Sequence, residues 1–213
     1  MDCLLCFSSK TSLFAQEHGR DFWRCAVCGL TFVDSAQFLD ADEEKSRYAL
    51  HENDPSDERY RAWLAQVSDV LLPKLQPNSQ GLDFGSGPGP TLSLMMAEAG
   101  HEVAIYDPFF APERTVLEQT YDFITCTETA EHFQNPHKEF SLLNDCLRQD
   151  GWLGIMTQIL KDDDRFGNWW YIRDETHVAF YKQETMAWIA AHFGWTMEMA
   201  GKNVVLFQKV SGA

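Results

Sequence analysis

Apolar residues recur along this chain with two different spacings. Short runs of strand type occupy residues 13–15, 22–24 and 30–33 near the N-terminus. Further runs follow at 82–84, 101–106, 121–126, 152–157, 195–199 and 203–208. Between them the spacing changes to that of a helix. Leu92, Met95, Met96 and Ala99 stand at i, i+3, i+4 and i+7, and Gly100 supplies a stop. Tyr60, Trp63, Leu64, Val67 and Leu71 share one helical face, opened by Asp54-Pro55 and closed by Pro73 and Pro77. Phe140, Leu143 and Leu147 follow an Asn135-Pro136 start. Met186, Ile189, Ala190 and Phe193 precede Gly194. Strands alternating with helices predict an α/β sheet over the C-terminal two thirds. Residues 34–53 are polar and acidic and read as a linker holding a helix within 35–50.

The densest signal is Gly81-Leu82-Asp83-Phe84-Gly85-Ser86-Gly87-Pro88-Gly89-Pro90, a strand running into a glycine turn and a helix. Such a turn cradles a nucleotide-like ligand at the carboxyl end of a strand, because glycines admit positive φ and carry no Cβ. A dinucleotide fingerprint would place Gly or Ala where Pro90 stands. Pro88 and Pro90 lack amide donors, and Asp83 would repel a diphosphate, whereas it suits a cationic amino group. With this acid and Gly85, Gly87 and Gly89, the stretch resembles the first motif of class I S-adenosylmethionine-dependent methyltransferases.

The resemblance implies a Rossmann-like sheet with helices on both faces, and it extends over most of residues 80–210. Asp107, ending the second strand of this region, matches the acid that accepts the ribose hydroxyls in that family. Residues 121–133 resemble its fourth strand and following loop, which implies that Thr127 and Glu128 meet the amino or sulfonium group and that His132 fixes the loop. Glu131 and His132 read equally well as capping residues. Only residues 108–120 separate the second strand from this one, too few for the usual helix and strand, so the third unit is expected to be shortened. Adenine would then rest on Phe109, Phe110 and backbone groups. Asp174-Glu-Thr-His177 resembles a segment that faces the acceptor in several small-molecule methyltransferases. It makes His177 the candidate general base, with Asp174 or Glu175 as orienter. Trp169 and Trp170 are candidates to cover the acceptor. Tyr48, His51, Asn53 and Tyr60 are candidates to line its pocket.

Cys3-x-x-Cys6 and Cys25-x-x-Cys28 have the spacing of a four-thiolate zinc site, and with the strands between them they resemble a zinc ribbon. Such a short segment cannot bury a core alone, so structural Zn²⁺ would supply the folding energy. Cys126 and Cys146 read as buried thiols. The chain has 213 residues and a formal charge of −15, which argues against a broad nucleic-acid surface. The N-terminus has no basic signal region, no run is long enough for a membrane span, and the cysteine pattern fits a reducing, cytoplasmic setting.

The expectation is a zinc ribbon over 1–34, a helical connector over 35–75 and an S-adenosylmethionine-binding methyltransferase domain over 76–213, acting on a small molecule. The alternatives are a non-catalytic S-adenosylmethionine-binding or protein-interaction module and an RNA methyltransferase. A dinucleotide-dependent oxidoreductase is disfavoured by Asp83 and Pro90.

Overall fold

A computed structural model describes residues 1–50 and 53–210. It opens with β1 (Thr11–Glu17), β2 (Arg20–Cys25) and β3 (Thr31–Val33), joined as antiparallel neighbours. The β1–β2 hairpin turns on His18 and Gly19, both with positive φ (52° and 76°), a type I′ pattern that matches strand twist. This small sheet does not close on itself. Its order is β1-β2-β3-β8, and β8 (Ala179–Phe180) comes from far down the chain, pairing Thr31 with Phe180 and Phe32 with Ala179. The N-terminal sheet is therefore built into the C-terminal region.

The acidic linker holds α1 (Ala41–Tyr48), whose Asp40 and Glu43 form a reciprocal capping box. The helix expected at Asp54-Pro55 begins three residues later: α2 (Glu58–Leu71) is capped by Asp57, while Asp54 turns the chain through Ser56. Leu64, Val67 and Leu71 are its buried face, whereas Trp63 is exposed. Then come β4 (Gln80–Phe84), α3 (Thr91–Glu98) and β5 (Glu102–Tyr106). Leu92 and Met96 of α3 are buried, but Met95 is half-buried and Ala99 exposed, so its apolar stripe is narrower than the spacing predicts. Between β5 and β6 (Tyr121–Thr127) lies only a 3-10 turn at Arg114–Glu118, so the third unit is shortened as expected. Asn135 caps α4 (Pro136–Cys146). β7 (Leu147–Met156) starts earlier than the apolar run suggests, because an irregularity opposite Tyr121–Phe123 absorbs the Asp150-Gly151 turn. α5 (Gln183–Phe193), β9 (Trp195–Met199) and β10 (Val204–Lys209) complete the chain.

The main sheet has the order β5-β4-β6-β7-β10-β9, parallel from β5 to β7 and antiparallel at the last two strands. Both faces are buried, as strand periodicity requires of a sheet covered by helices. Val204 and Leu206 pack with Leu64, Val67, Leu92 and Met96 beneath α2 and α3. Their neighbours Val205 and Phe207 face the other way, with Phe140, Leu143, Met186 and Ile189 of α4 and α5. That second core also contains Leu5, Cys3, Cys25 and Cys28, so the N-terminal knuckles are seated on α4 and α5. A Cβ on Gly29 would stand 2.8 Å from Glu184 Cγ, which shows how closely the second knuckle meets α5.

Candidate active site

The carboxyl ends of β4 and β6 meet where the chain's crossovers diverge, the place at which open α/β sheets bind ligands. A cavity of about 970 Å³ opens there. At one end it is lined by Asp83, Gly85, Gly87, Gly89, Asp107, Thr127 and Glu128, and at the other by Tyr48, Trp170, Asp174 and His177. The predicted cofactor-binding and catalytic residues thus share one space. His51, predicted beside Tyr48, lies outside the described residues.

Within the turn, Gly85 and Gly87 have φ of 79° and 64°, conformations that strain any residue with a Cβ. Gly89 serves differently: a Cβ there would lie 2.2 Å from the Asn53 carbonyl oxygen, so its bareness admits the α1–α2 connection. The Gly85 and Ser86 amides donate to the Tyr106 carbonyl at 2.8 and 3.1 Å, tying the turn to β5. Asp107 accepts from the Gly87 amide (3.0 Å) and from the Phe109 and Phe110 amides (2.8 and 3.0 Å). It fixes both walls of this end of the cavity at once.

Asp83 is buried and accepts from the Thr125 hydroxyl at 2.7 Å, and burial raises its pKa to about 6. Glu128 follows β6 with a positive φ of 48°, unusual for a side-chain-bearing residue and typical of functional turns. Burial, then the nearby Glu131 charge, raises its carboxyl to about 8. Its Oε1 and the Ser86 hydroxyl are buried without a partner among the described residues. Two orphaned polar atoms beside a glycine cradle call for a polar ligand with a donor near Glu128.

At the other end, His177 is buried and its ring lies 4.1 Å from that of Tyr171 and 4.8 Å from that of His132. Its Nδ1 is 2.8 Å from the Tyr171 carbonyl oxygen. A carbonyl only accepts, so Nδ1 carries the proton and Nε2 holds the lone pair. The orienting partner is therefore this carbonyl. Asp174 lies on the opposite side, Oδ2 3.8 Å from Nε2, with Oδ1 bound to the Thr176 amide and hydroxyl. Glu175 turns away to pair with Arg47 of α1. Burial lowers the His177 pKa, so the ring is neutral near pH 7, while Glu131 and Asp174 favour its protonated form. Trp170 is exposed on the cavity rim, and Trp169 instead packs on Phe166, Tyr171 and Phe180.

The capping reading of Glu131 is corrected at this end, and Arg20 is a residue that sequence reasoning missed. Glu131 is fully buried, accepting from the Thr157 hydroxyl at 3.0 Å and from the Tyr171 hydroxyl, so it caps no helix. Arg20 of β2 is buried and donates to the carbonyls of Ile172, Asp174, Glu175 and His177. No local motif announces Arg20 or the buried partners of Glu131, because those partners are distant in sequence.

The four N-terminal cysteines converge. Cys3 and Cys28 sulfurs are 3.5 Å apart, those of Cys6 and Cys25 3.4 Å, and all four lie within 4.8 Å of one another. Tetrahedral thiolates at ~2.3 Å from a metal stand about 3.8 Å apart, so the donor set fits one such ion. The residues after each pair, Phe7 and Gly29, take the positive φ (56° and 75°) that closes a knuckle.

A family model described as a methyltransferase domain matches residues 56–199. The chain belongs to that methyltransferase family. Among solved structures, it resembles the Burkholderia thailandensis 1,6-didemethyltoxoflavin-N1-methyltransferase, crystallised with 1,6-didemethyltoxoflavin and S-adenosylhomocysteine, at 17% identity and a TM-score of 0.55, over 94% of this chain and 100% of that one. A Pyrococcus horikoshii protein gives 14% identity and 0.53 over 78% and 99%. An O-methyltransferase family protein from Burkholderia thailandensis gives 13% and 0.52 over 80% and 63%. At these identities the likeness is one of fold. No curated protein matches the sequence. Among the described residues, no helix is long and apolar enough to cross a membrane.

Proposed function

We propose that this chain transfers a methyl group from S-adenosylmethionine to a small-molecule acceptor. The observation that carries the reading is the single cavity shared by the glycine turn and His177. In this reading Asp83, Gly85, Gly87 and Gly89 hold the cofactor's methionine side, and Thr127 and Glu128 meet its ammonium. Glu128 suits that role because its carboxyl is buried and partly unpartnered. Asp107 receives the ribose, and Phe109 and Phe110 replace the missing third unit beside adenine.

Such a cofactor supplies an electrophilic methyl on a sulfonium. The chain's own work is positioning, water exclusion and handling one proton. An acceptor oxygen or nitrogen that received this methyl would have a proton to lose. His177 Nε2 takes the acceptor's proton, and the Asp174 and Glu131 carboxylates stabilise the imidazolium.

In the same reading the four cysteines hold structural Zn²⁺, with no open coordination position for catalysis. Residues 1–34 then brace the acceptor loop, residues 35–75 roof the cavity, and residues from 76 onward carry out the transfer. The chain would work in the reducing cytoplasm that its thiols suit.

Calorimetric titration with S-adenosylmethionine, S-adenosylhomocysteine and NAD⁺ tests the proposal. Micromolar binding of the two sulfur ligands and none of NAD⁺ is expected. Silence from both sulfur ligands would overturn it.

A further inference from the structure

Three side chains at the acceptor end converge beyond what a lone base requires. Glu131, His132 and His177 each bring a ligand atom within 4.8 Å of the other two. Glu131 and His177 are buried, and His132 is half-buried. The two imidazoles are oriented alike. His132 Nδ1 sits 3.1 Å from the Thr176 carbonyl oxygen, and His177 Nδ1 sits 2.8 Å from that of Tyr171. Both Nδ1 atoms therefore donate to carbonyls, which leaves Nε2 as the ring nitrogen each imidazole can offer an ion, that of His177 with Asp174 Oδ2 3.8 Å away. Metal-ligating histidines are held in this way, by a backbone carbonyl on the other ring nitrogen. Glu131 is oriented in turn by the Thr157 and Tyr171 hydroxyls, with lone pairs left over.

The surrounding charge points to the same occupant. Glu44, Glu128, Glu131 and Asp174 all line this cavity, where the acids outnumber the two lining cations, Arg114 and Lys138. No salt bridge reaches Glu128 or Glu131 among the described residues. The cofactor's ammonium would answer Glu128, leaving Glu131 beside the two imidazoles.

We infer that Glu131, His132 and His177 form a second metal site, taking a divalent first-row transition ion such as Mn²⁺, Fe²⁺, Co²⁺ or Zn²⁺. Two imidazoles and one carboxylate are a borderline donor set that suits these ions and leaves coordination positions open. All three residues line the cavity, so an ion held there would bind an acceptor through an oxygen and lower that oxygen's pKa. The inference rests on the methyl-transfer reading and changes one part of it. With the ion bound, His177 Nε2 is a ligand, and the acceptor's proton leaves to solvent.

The test uses the full chain with its cysteine site filled by zinc, and Mn²⁺ or Co²⁺ as the added probe. Mn²⁺ binding is followed by loss of the free-ion electron paramagnetic resonance signal. Co²⁺ binding is followed by weak visible bands, distinct from the strong thiolate charge-transfer of a four-cysteine site. One further equivalent is expected, with affinity lowered at least tenfold in Glu131→Gln and in His132→Gln. Both variants should still bind S-adenosylmethionine, which doubles as the folding control. Absence of a further equivalent in the wild-type chain, or unchanged affinity in the folded variants, would overturn the site. Cofactor binding without added metal binding would sink this inference alone. Absence of cofactor binding would sink the methyl-transfer reading instead.

Discussion

The two ends of the cavity are built by opposite strategies. The cofactor end is local: its turn spans a few residues between β4 and α3, and Asp107 ties it to the adjacent strand. The acceptor end is assembled from distant pieces. Its loop is stitched to the N-terminal sheet by β3–β8 pairing, clamped by Arg20 and roofed by α1 through Gln134–Glu44 and Arg47–Glu175 contacts. Local construction makes one end readable from a motif. Long-range construction makes the other depend on whether the N-terminal sheet is folded.

That contrast has a direct consequence for metal removal. If zinc folds the ribbon, Cys28→Ser or strong chelation should release β3 from β8 and loosen residues 158–181. Methyl transfer should fall by orders of magnitude, while S-adenosylmethionine affinity changes by less than about tenfold, the equivalent of ~1.4 kcal/mol. Hydrogen exchange would locate the loosening. Equal loss of cofactor binding would mean that the two ends are not separable.

Arg20→Ala probes the same coupling without touching the cysteines. Burial lowers the Arg20 pKa, and Glu175 and Asp174 counter it, so the guanidinium stays charged against its ring of carbonyls. Removing it takes the donor from the buried Ile172 and His177 carbonyls, at a cost of about 3 kcal/mol. Turnover should drop and acceptor KM should rise, with cofactor Kd preserved. A variant with unaltered turnover would show that the clamp is dispensable.

The cofactor end has its own signature, carried by protons. The Glu128 carboxyl titrates at about 8 in the folded chain, against 4.5 when unperturbed. Between those values the folded chain holds a proton that the unfolded chain has lost. This group therefore makes stability fall as pH rises through the window. A bound ammonium reverses the preference and expels the proton. Calorimetry near pH 7 in buffers of different ionisation enthalpy should show up to one proton released per cofactor, disappearing above about pH 8 and in Glu128→Gln. His177 works in the other direction. Its lowered pKa makes the unfolded chain bind more protons below about 6.5, so its contribution to stability is lost as pH falls.

How far the sequence is legible follows the same division. The glycine turn, the acid ending β5, the shortened third unit, the two cysteine pairs and the helix stops at Gly100 and Gly194 are all readable, because each signal lies within a few residues. The start of α2 is misread at Asp54-Pro55, since Asp57 offers an equally good cap and wins. The start of β7 is misread because an irregular register hides from an apolar count. The orienter of His177 is a backbone carbonyl, which no side-chain pattern can announce. Arg20 carries no local signal and Glu131 reads as a loop or capping residue until the fold carries β2 and the β6–α4 loop to residues 157–177.

The smallest expected effect concerns the roof. Arg47 of α1 pairs with Glu175 of the loop that carries His177, outside the lining of the cavity, and both side chains are about half exposed. An exposed ion pair is worth only ~0.2–1 kcal/mol and is screened by salt. Arg47→Ala should therefore raise acceptor KM by a few-fold at most and leave cofactor affinity unchanged, and high salt should erase the difference from wild type. A larger, salt-independent rise would mean that α1 contributes binding surface rather than a tether. The burden would then pass to Tyr48, whose ring stands 5.1 Å from that of His132 and 5.7 Å from that of Phe109, and so touches both ends of the cavity.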